Sequence, residues 1–139
     1  HQKNDNKKAE EYYKKSINLN QKIPEPYNNL ASIYKSTDRF DDAIDCYIKA
    51  IEINPKFVHA YHNLGNIYTT LGNFKEAIDD YTNAISLNSS MGIAYYNRAY
   101  SRGKFDDFDG SCDDFRKAFE LGYKFSRKEK NIVLKGCGI

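Results

Sequence analysis

No run of apolar residues in this chain of 139 approaches the ~20 that a membrane-crossing helix needs. No alternating polar and apolar run marks a strand. Catalytic signatures are missing too. The chain has no glycine-rich phosphate loop, and no Ser, His and Asp arrangement can be inferred. It has no Cys-x-x-Cys and no Cys/His cluster, so zinc is not signalled. His59 and His62 stand i, i+3 on one expected helix, but no third ligand of matching phase accompanies them. The stretch Asp106-Asp107-Phe108-Asp109-Gly110 lacks the spacing and the closing glutamate of a calcium loop. The expectation is a protein that is not an enzyme and holds neither metal nor cofactor.

What is present is a repeat. Asn29, Asn63, Asn97 and Asn131 stand 34 residues apart. Tyr27, Tyr61 and Tyr95 share that period, as do Ala31, Gly65 and Ala99, and Phe40, Phe74 and Phe108. Tyr13, Tyr47, Tyr81 and Phe115 follow it as well. Within each period, apolar residues recur at helical spacing in two short blocks, such as Tyr27, Leu30, Ala31, Ile33, Tyr34 and then Ala43, Ile44, Tyr47, Ala50, Ile51. Blocks of about three turns are too short to be stable alone and must stack. Small residues at 31, 65 and 99 let paired helices approach, and large rings fill the gaps between layers. The pattern predicts helices near 5–19, 26–36, 41–53, 59–70, 75–87, 94–104, 109–121 and 126–135. Asp38, Asn73 and Asp106 fall where paired helices turn. Pro24, Pro26 and Pro55 fall between blocks, where they can start a helix.

These residues resemble the tetratricopeptide repeat family. Its pattern of aromatic-x2-Leu-Gly-x2-Tyr, then Ala-x3-aromatic, then Pro appears over 58–91 as Tyr61-x2-Leu64-Gly65-x2-Tyr68 and Ala77-x3-Tyr81, with Ser89 in place of Pro. Over 24–57 it appears as Tyr27-x2-Leu30-Ala31-x2-Tyr34, Ala43-x3-Tyr47 and Pro55. Over 92–125 it is degenerate: Tyr95-x2-Arg98-Ala99-x2-Arg102, then Ser111-x3-Phe115. Residues 1–23 fit the second half of a truncated repeat, through Ala9-x3-Tyr13, which suggests a piece of a longer array. Residues 126–139 read as a C-terminal capping helix and tail. The resemblance implies an all-α, right-handed superhelical solenoid of antiparallel helix pairs.

Charge is uneven. Residues 1–37 carry +3, residues 38–114 carry -6 and residues 115–139 carry +5. The acids gather at the starts of second helices, where they complement the helix dipole. An acidic middle repels phosphates, so nucleic acid is not the expected partner. Cys46 and Cys112 lie more than one repeat apart and are not expected to pair. Cys137, in Gly136-Cys137-Gly138, reads as an exposed tail thiol. Unpaired thiols favour a reducing compartment such as the cytoplasm.

By the resemblance, the first helix of each pair lines a concave groove. Asn29, Asn63, Asn97 and Asn131 would form a ladder there, each carboxamide offering a donor and an acceptor to a peptide backbone. Asn28, His62 and Tyr96, with Ser32, Asn66 and Tyr100, would supply selectivity. A family subclass grips a carboxylate terminus with cations. The nearest register here is His62, Asn66, Asn97, Arg127 and Asn131, in which two expected cations are replaced by His62 and Asn131. The expected function is therefore a protein-interaction module that binds an extended peptide of a protein partner. The alternative is an assembly module that self-associates as a homo-oligomer through the face of helix 5–19 bearing Ala9, Tyr12, Tyr13, Ile17 and Leu19.

Overall fold

The structure, a computed structural model, describes residues 2–138. Eight helices occur among them: α1 (Gln2–Leu19), α2 (Pro24–Ser36), α3 (Phe40–Ile53), α4 (Val58–Leu71), α5 (Phe74–Leu87), α6 (Gly92–Lys104), α7 (Phe108–Glu120) and α8 (Arg127–Gly136). The described residues contain no strand. Every expected helix is present, with ends shifted by no more than three residues. The chain divides within α4 into two compact units, one ending at Ile67 and one starting at Tyr68.

In the first unit, Pro24 opens α2 with a φ already set for a helix. The chain then reverses in a tight turn. Asp38 adopts φ 58°, and the Arg39 N–H donates to the Tyr34 carbonyl at 2.8 Å. That bond satisfies a carbonyl left open by the helix end. The reversal packs α2 against α3. Leu30, Ala31 and Tyr34 of α2 and Ala43, Tyr47 and Ala50 of α3 are buried. Ala31 and Ala43 are fully enclosed, as small residues at a close helix crossing must be. Tyr47 is also fully enclosed, and its hydroxyl finds Ser32 Oγ at 3.1 Å. A buried Leu or Tyr of this kind contributes about 1.5–3 kcal/mol through the area it removes from water.

Helix α1 packs on α2. Glu10 accepts from the Tyr34 hydroxyl at 3.3 Å and from Arg39 Nη1 at 3.2 Å. Ala9, Tyr13 and Ile17 are half-buried, whereas Tyr12 and Leu19 stay exposed and no residue of α1 is fully buried.

The second unit repeats the turn. Gly72 takes φ 79° and Asp106 φ 62°, and the N–H groups of Asn73 and Asp107 bond back to Tyr68 and Arg102 at 2.8 and 2.9 Å. The turn residue of the middle period is therefore Gly72. Asn73 sits one place later, as an N-cap without a side-chain bond. Asp107 does cap its helix, accepting from the Gly110 N–H at 3.0 Å. A Cβ at position 110 would meet that carboxylate, so a side chain there would displace the cap.

The degenerate period explains itself here. Where the earlier periods place Leu30 or Leu64 and Tyr34 or Tyr68, this one places Arg98 and Arg102. Both guanidinium groups converge on Asp114 of α7. Arg98 grips it with Nε and Nη2, each at 2.7 Å, and Arg102 adds Nη1 at 2.9 Å. Ser111, where Ala43 and Ala77 stand earlier, donates to the Ala99 carbonyl at 2.7 Å. An apolar seam has become a satisfied polar one.

One cysteine expectation is overturned. Cys112 and Cys137 form a disulfide with their Cα atoms 5.3 Å apart, and Cys46 is the free thiol. Cys137 is not an exposed tail thiol, and the argument from unpaired thiols to a reducing compartment falls with it. The 34-residue period does not encode this pairing, which joins the C-cap residue of α8 to α7.

Candidate functional site

The expected binding residues lie on first helices, and each unit supplies its own set. In the first unit, α2 carries Asn28 and Asn29 and α4 carries His62, Asn63 and Asn66. Asn29 is exposed, and Asn63 and Asn66 are half-buried. The neighbouring residues Leu30, Ala31, Leu64 and Gly65 are buried. Each helix thus turns its apolar side inward, with Asn29 exposed and Asn63 half-buried beside it. The Oδ1 atom of Asn28 is shut from solvent and accepts no hydrogen bond from the described residues. Such an acceptor costs about 1–3 kcal/mol of stability.

His62 is buried, only 9% exposed. Burial pushes its imidazole down to about 4, with the charges of Lys35 and His59 adding to the effect. It is therefore a neutral ring at pH 7. As a stand-in for a carboxylate-gripping cation it carries no charge. Ser32 is held by Tyr47 and by the Asn28 carbonyl, to which its hydroxyl donates at 3.1 Å.

In the second unit, α6 carries Tyr96, Asn97 and Tyr100, and α8 carries Arg127 and Asn131. Asn97 is half-buried, and Tyr100, Arg127 and Asn131 are exposed. Tyr96 is absorbed into the fold. Its hydroxyl donates to Glu129 of α8 at 2.5 Å, and its ring stacks on Tyr123 at 4.5 Å. Burial, then the Glu129 carboxylate, drive its phenol far above its usual value. Tyr100 lines a cavity of about 300 Å³ with Ala99, Gly103, Phe115, Ile132 and Val133. Both tyrosines thus face α8. Ser126 and Glu129 cap α8 reciprocally: the Ser126 N–H donates to Glu129 at 2.8 Å, and Ser126 Oγ accepts from the Glu129 N–H at 3.3 Å.

Other groups are perturbed by burial. Burial pushes the Asp80 carboxyl up to about 7, with Asp79 and Glu76 raising it further. Burial likewise pushes the Cys46 thiol up to about 11, with Asp42 and Asp45 adding. That is a poor nucleophile at neutral pH. Among the described residues, no group of three or more His, Cys, Asp or Glu is placed to hold a metal. No described helix is long and apolar enough to cross a membrane.

Sequence models described as tetratricopeptide repeats match residues 12–45 and 58–91, and one described as a TPR repeat matches 31–72. Together they run unbroken from residue 12 to residue 91, more than half of the chain. The chain belongs to the tetratricopeptide repeat family. No curated protein matches it in sequence. Among solved structures, this repeat chain is similar to a crystal structure of MamA, with a TM-score of 0.77 and 29% identity over 81% of this chain and 66% of that one. It therefore spans just under two thirds of the MamA chain. It also shares its fold with the first TPR of Spaghetti (RPAP3), solved bound to the HSP90 peptide SRMEEVD. That likeness has a TM-score of 0.76 and 24% identity over 83% of this chain and 90% of that one. YrrB, described as a TPR protein with an unusual peptide-binding site, matches with a TM-score of 0.77 and 24% identity over 91% of this chain and 62% of that one. At 24% identity these two likenesses show the fold alone. The all-helical repeat fold of the family is that of this chain.

Proposed function

We propose that this repeat protein is a protein-interaction module, with repeats at 24–57, 58–91 and 92–125, that binds an extended peptide segment of a partner. In the first unit the contacts are made by the carboxamides of Asn29 and Asn63; in the second unit Asn97 offers the same group. The observation that supports this reading is the exposure of Asn29 and the partial exposure of Asn63 beside buried neighbours on the same helices. A carboxamide pairs with both the N–H and the C=O of a peptide backbone. Each such bond gains only about 0.5–1.5 kcal/mol net, so affinity is on the order of micromolar, about -8 kcal/mol. The peptide-bound RPAP3 repeat and the YrrB repeat are consistent precedents for the fold. A cation grip on a carboxylate terminus is not part of this reading, because His62 is neutral and Asn131 is an amide. The test is the N63A/N97A double variant, which should keep its helical signal and lose peptide binding. Unchanged binding by the folded variant would set the ladder aside.

A second reading rests on α1. Tyr12 is 68% exposed and Leu19 89% exposed. If the chain instead assembles with its own copies, this is the face that does so. Light scattering that gives a monomer for the wild type at high concentration would count against it. A dimer lost in Y12E/L19E would favour it.

A further inference from the structure

We propose that the corner between α7 and α8 is a separate docking site for an acidic peptide segment carrying one bulky apolar side chain. A cavity of about 450 Å³ opens there, lined by Phe119, Gly122, Tyr123, Lys124, Phe125 and Lys130. None of the carboxamides assigned above lines it. Its walls are aromatic and preorganised. Phe125 meets Tyr123 edge-on at 5.3 Å and Tyr96 edge-on at 5.5 Å, and lies 6.3 Å from Phe119. Gly122 makes the corner possible. It ends α7 at φ 81°, a conformation that a side chain would strain, and the Tyr123 N–H then bonds back to Ala118 at 2.9 Å.

The rim selects for negative charge. Residues 115–139 carry seven basic and two acidic residues. Both acids are already engaged: Glu120 pairs with Lys117 at 3.5 Å, and Glu129 takes the Ser126 N–H and the Tyr96 hydroxyl. Lys124 and Lys130 are exposed and have no carboxylate partner among the described residues. Lys130 Nζ instead lies 5.3 Å over the Phe119 ring. An apolar cup with two uncompensated ammonium groups on its rim fits a side chain such as phenylalanine flanked by carboxylates.

A nucleobase fits less well. Base stacking needs an open flat ring face. Here Tyr123 is already stacked on Tyr96 at 24°, Lys130 covers Phe119, Phe125 meets Tyr123 edge-on, and Phe119 and Phe125 are tilted at 41° to each other. The cup admits a side chain between rings and offers no platform.

The test uses the whole chain and a fluorescein-labelled peptide in which one phenylalanine is flanked by glutamates, with both ends blocked so that no terminal carboxylate takes part. Fluorescence anisotropy should show binding that weakens with salt, as expected for exposed charges. Replacing the phenylalanine by alanine, or the glutamates by glutamines, should each weaken it by about tenfold or more. The K124E/K130E variant, changed only at exposed positions, should lose binding of the acidic peptide. It should gain binding of the same peptide with lysines for glutamates. That charge swap separates a site from a folding defect, and the N63A/N97A variant should bind the acidic probe as the wild type does. No binding by the wild type, equal binding of the alanine peptide, unchanged binding by K124E/K130E, or preferential binding of oligouridylate would each overturn the proposal.

Discussion

Replacing Asp114 by alanine should be among the most damaging single changes in the second unit. The Asp114 side chain is 5% exposed, and that of its partner Arg98 is 11% exposed. The carboxylate takes two bonds from Arg98 and one from Arg102. Arg98 would keep Thr82, at 3.0 Å, and the Tyr95 ring, 5.5 Å away, and Arg102 would keep the Gly110 carbonyl at 3.2 Å and Asp107 at 3.4 Å. Removing one partner of a buried pair costs about 3–5 kcal/mol, because the charge left behind is uncompensated. Replacing the whole network by apolar residues is instead neutral or stabilising by about 1–4 kcal/mol. The chain supplies the apolar design itself, with leucine at 30 and 64 and tyrosine at 34 and 68. The R98L/R102Y/D114A triple variant should therefore recover most of what D114A loses. Urea unfolding followed by circular dichroism, with hydrogen exchange of the α6 and α7 amides, measures both. A loss below about 1 kcal/mol in D114A, or a triple variant as weak as the single, would refute the reasoning.

The two perturbed acid–base groups predict opposite pH trends. Asp80, with its folded value raised from 3.8 to about 7, imposes a cost that is absent below pH 4, grows as pH rises and is complete above about 7. D80N should therefore be more stable than wild type at pH 8 and equal to it at pH 4 in thermal melts. His62 is depressed from 6.5 to about 4, so its contribution is present above pH 6.5 and lost as pH falls toward 4. Its ring protons should titrate near pH 4 by NMR, and a midpoint near 6.5 would contradict its burial. Reducing the Cys112–Cys137 bridge, which spans 25 residues, should cost about 3.5 kcal/mol and raise hydrogen exchange in α8 while α2 and α3 stay unchanged. Without reductant, Cys46 should react slowly with a thiol reagent at pH 7, since its thiol is held near 11; fast labelling of more than one thiol would contradict the bridge.

The period made the helices and their reversals legible, because each block has an apolar face that only a stacked neighbour can cover. Positions 38, 72 and 106 take positive φ in register, though the sequence pointed to Asn73 where the backbone uses Gly72. A second asparagine period went unread. Asn20, Asn54 and Asn88 each accept from a backbone N–H two residues on, at 3.0–3.1 Å, and shape the link between helix pairs. The Ser126-x-x-Glu129 capping box was also readable. The Arg98–Asp114 pair, the Cys112–Cys137 bridge and the aromatic cup were not. They join residues at separations unrelated to 34, so only the assembled unit brings them together. In the candidate site, the period placed the carboxamides on first helices. It did not reveal that His62 is buried or that Tyr96 is consumed by Glu129, because both depend on what packs over them.

The most direct test of the peptide-binding reading is selection of ligands from a random short-peptide library on the whole chain, followed by calorimetry of the selected peptides against wild type and N63A/N97A. The account predicts extended peptides of about micromolar affinity, weakly dependent on salt, whose binding to the folded double variant falls by about tenfold or more. Selected peptides that bind K124E/K130E as wild type does, and so do not use the α7–α8 corner, yet bind N63A/N97A as tightly as wild type would contradict it.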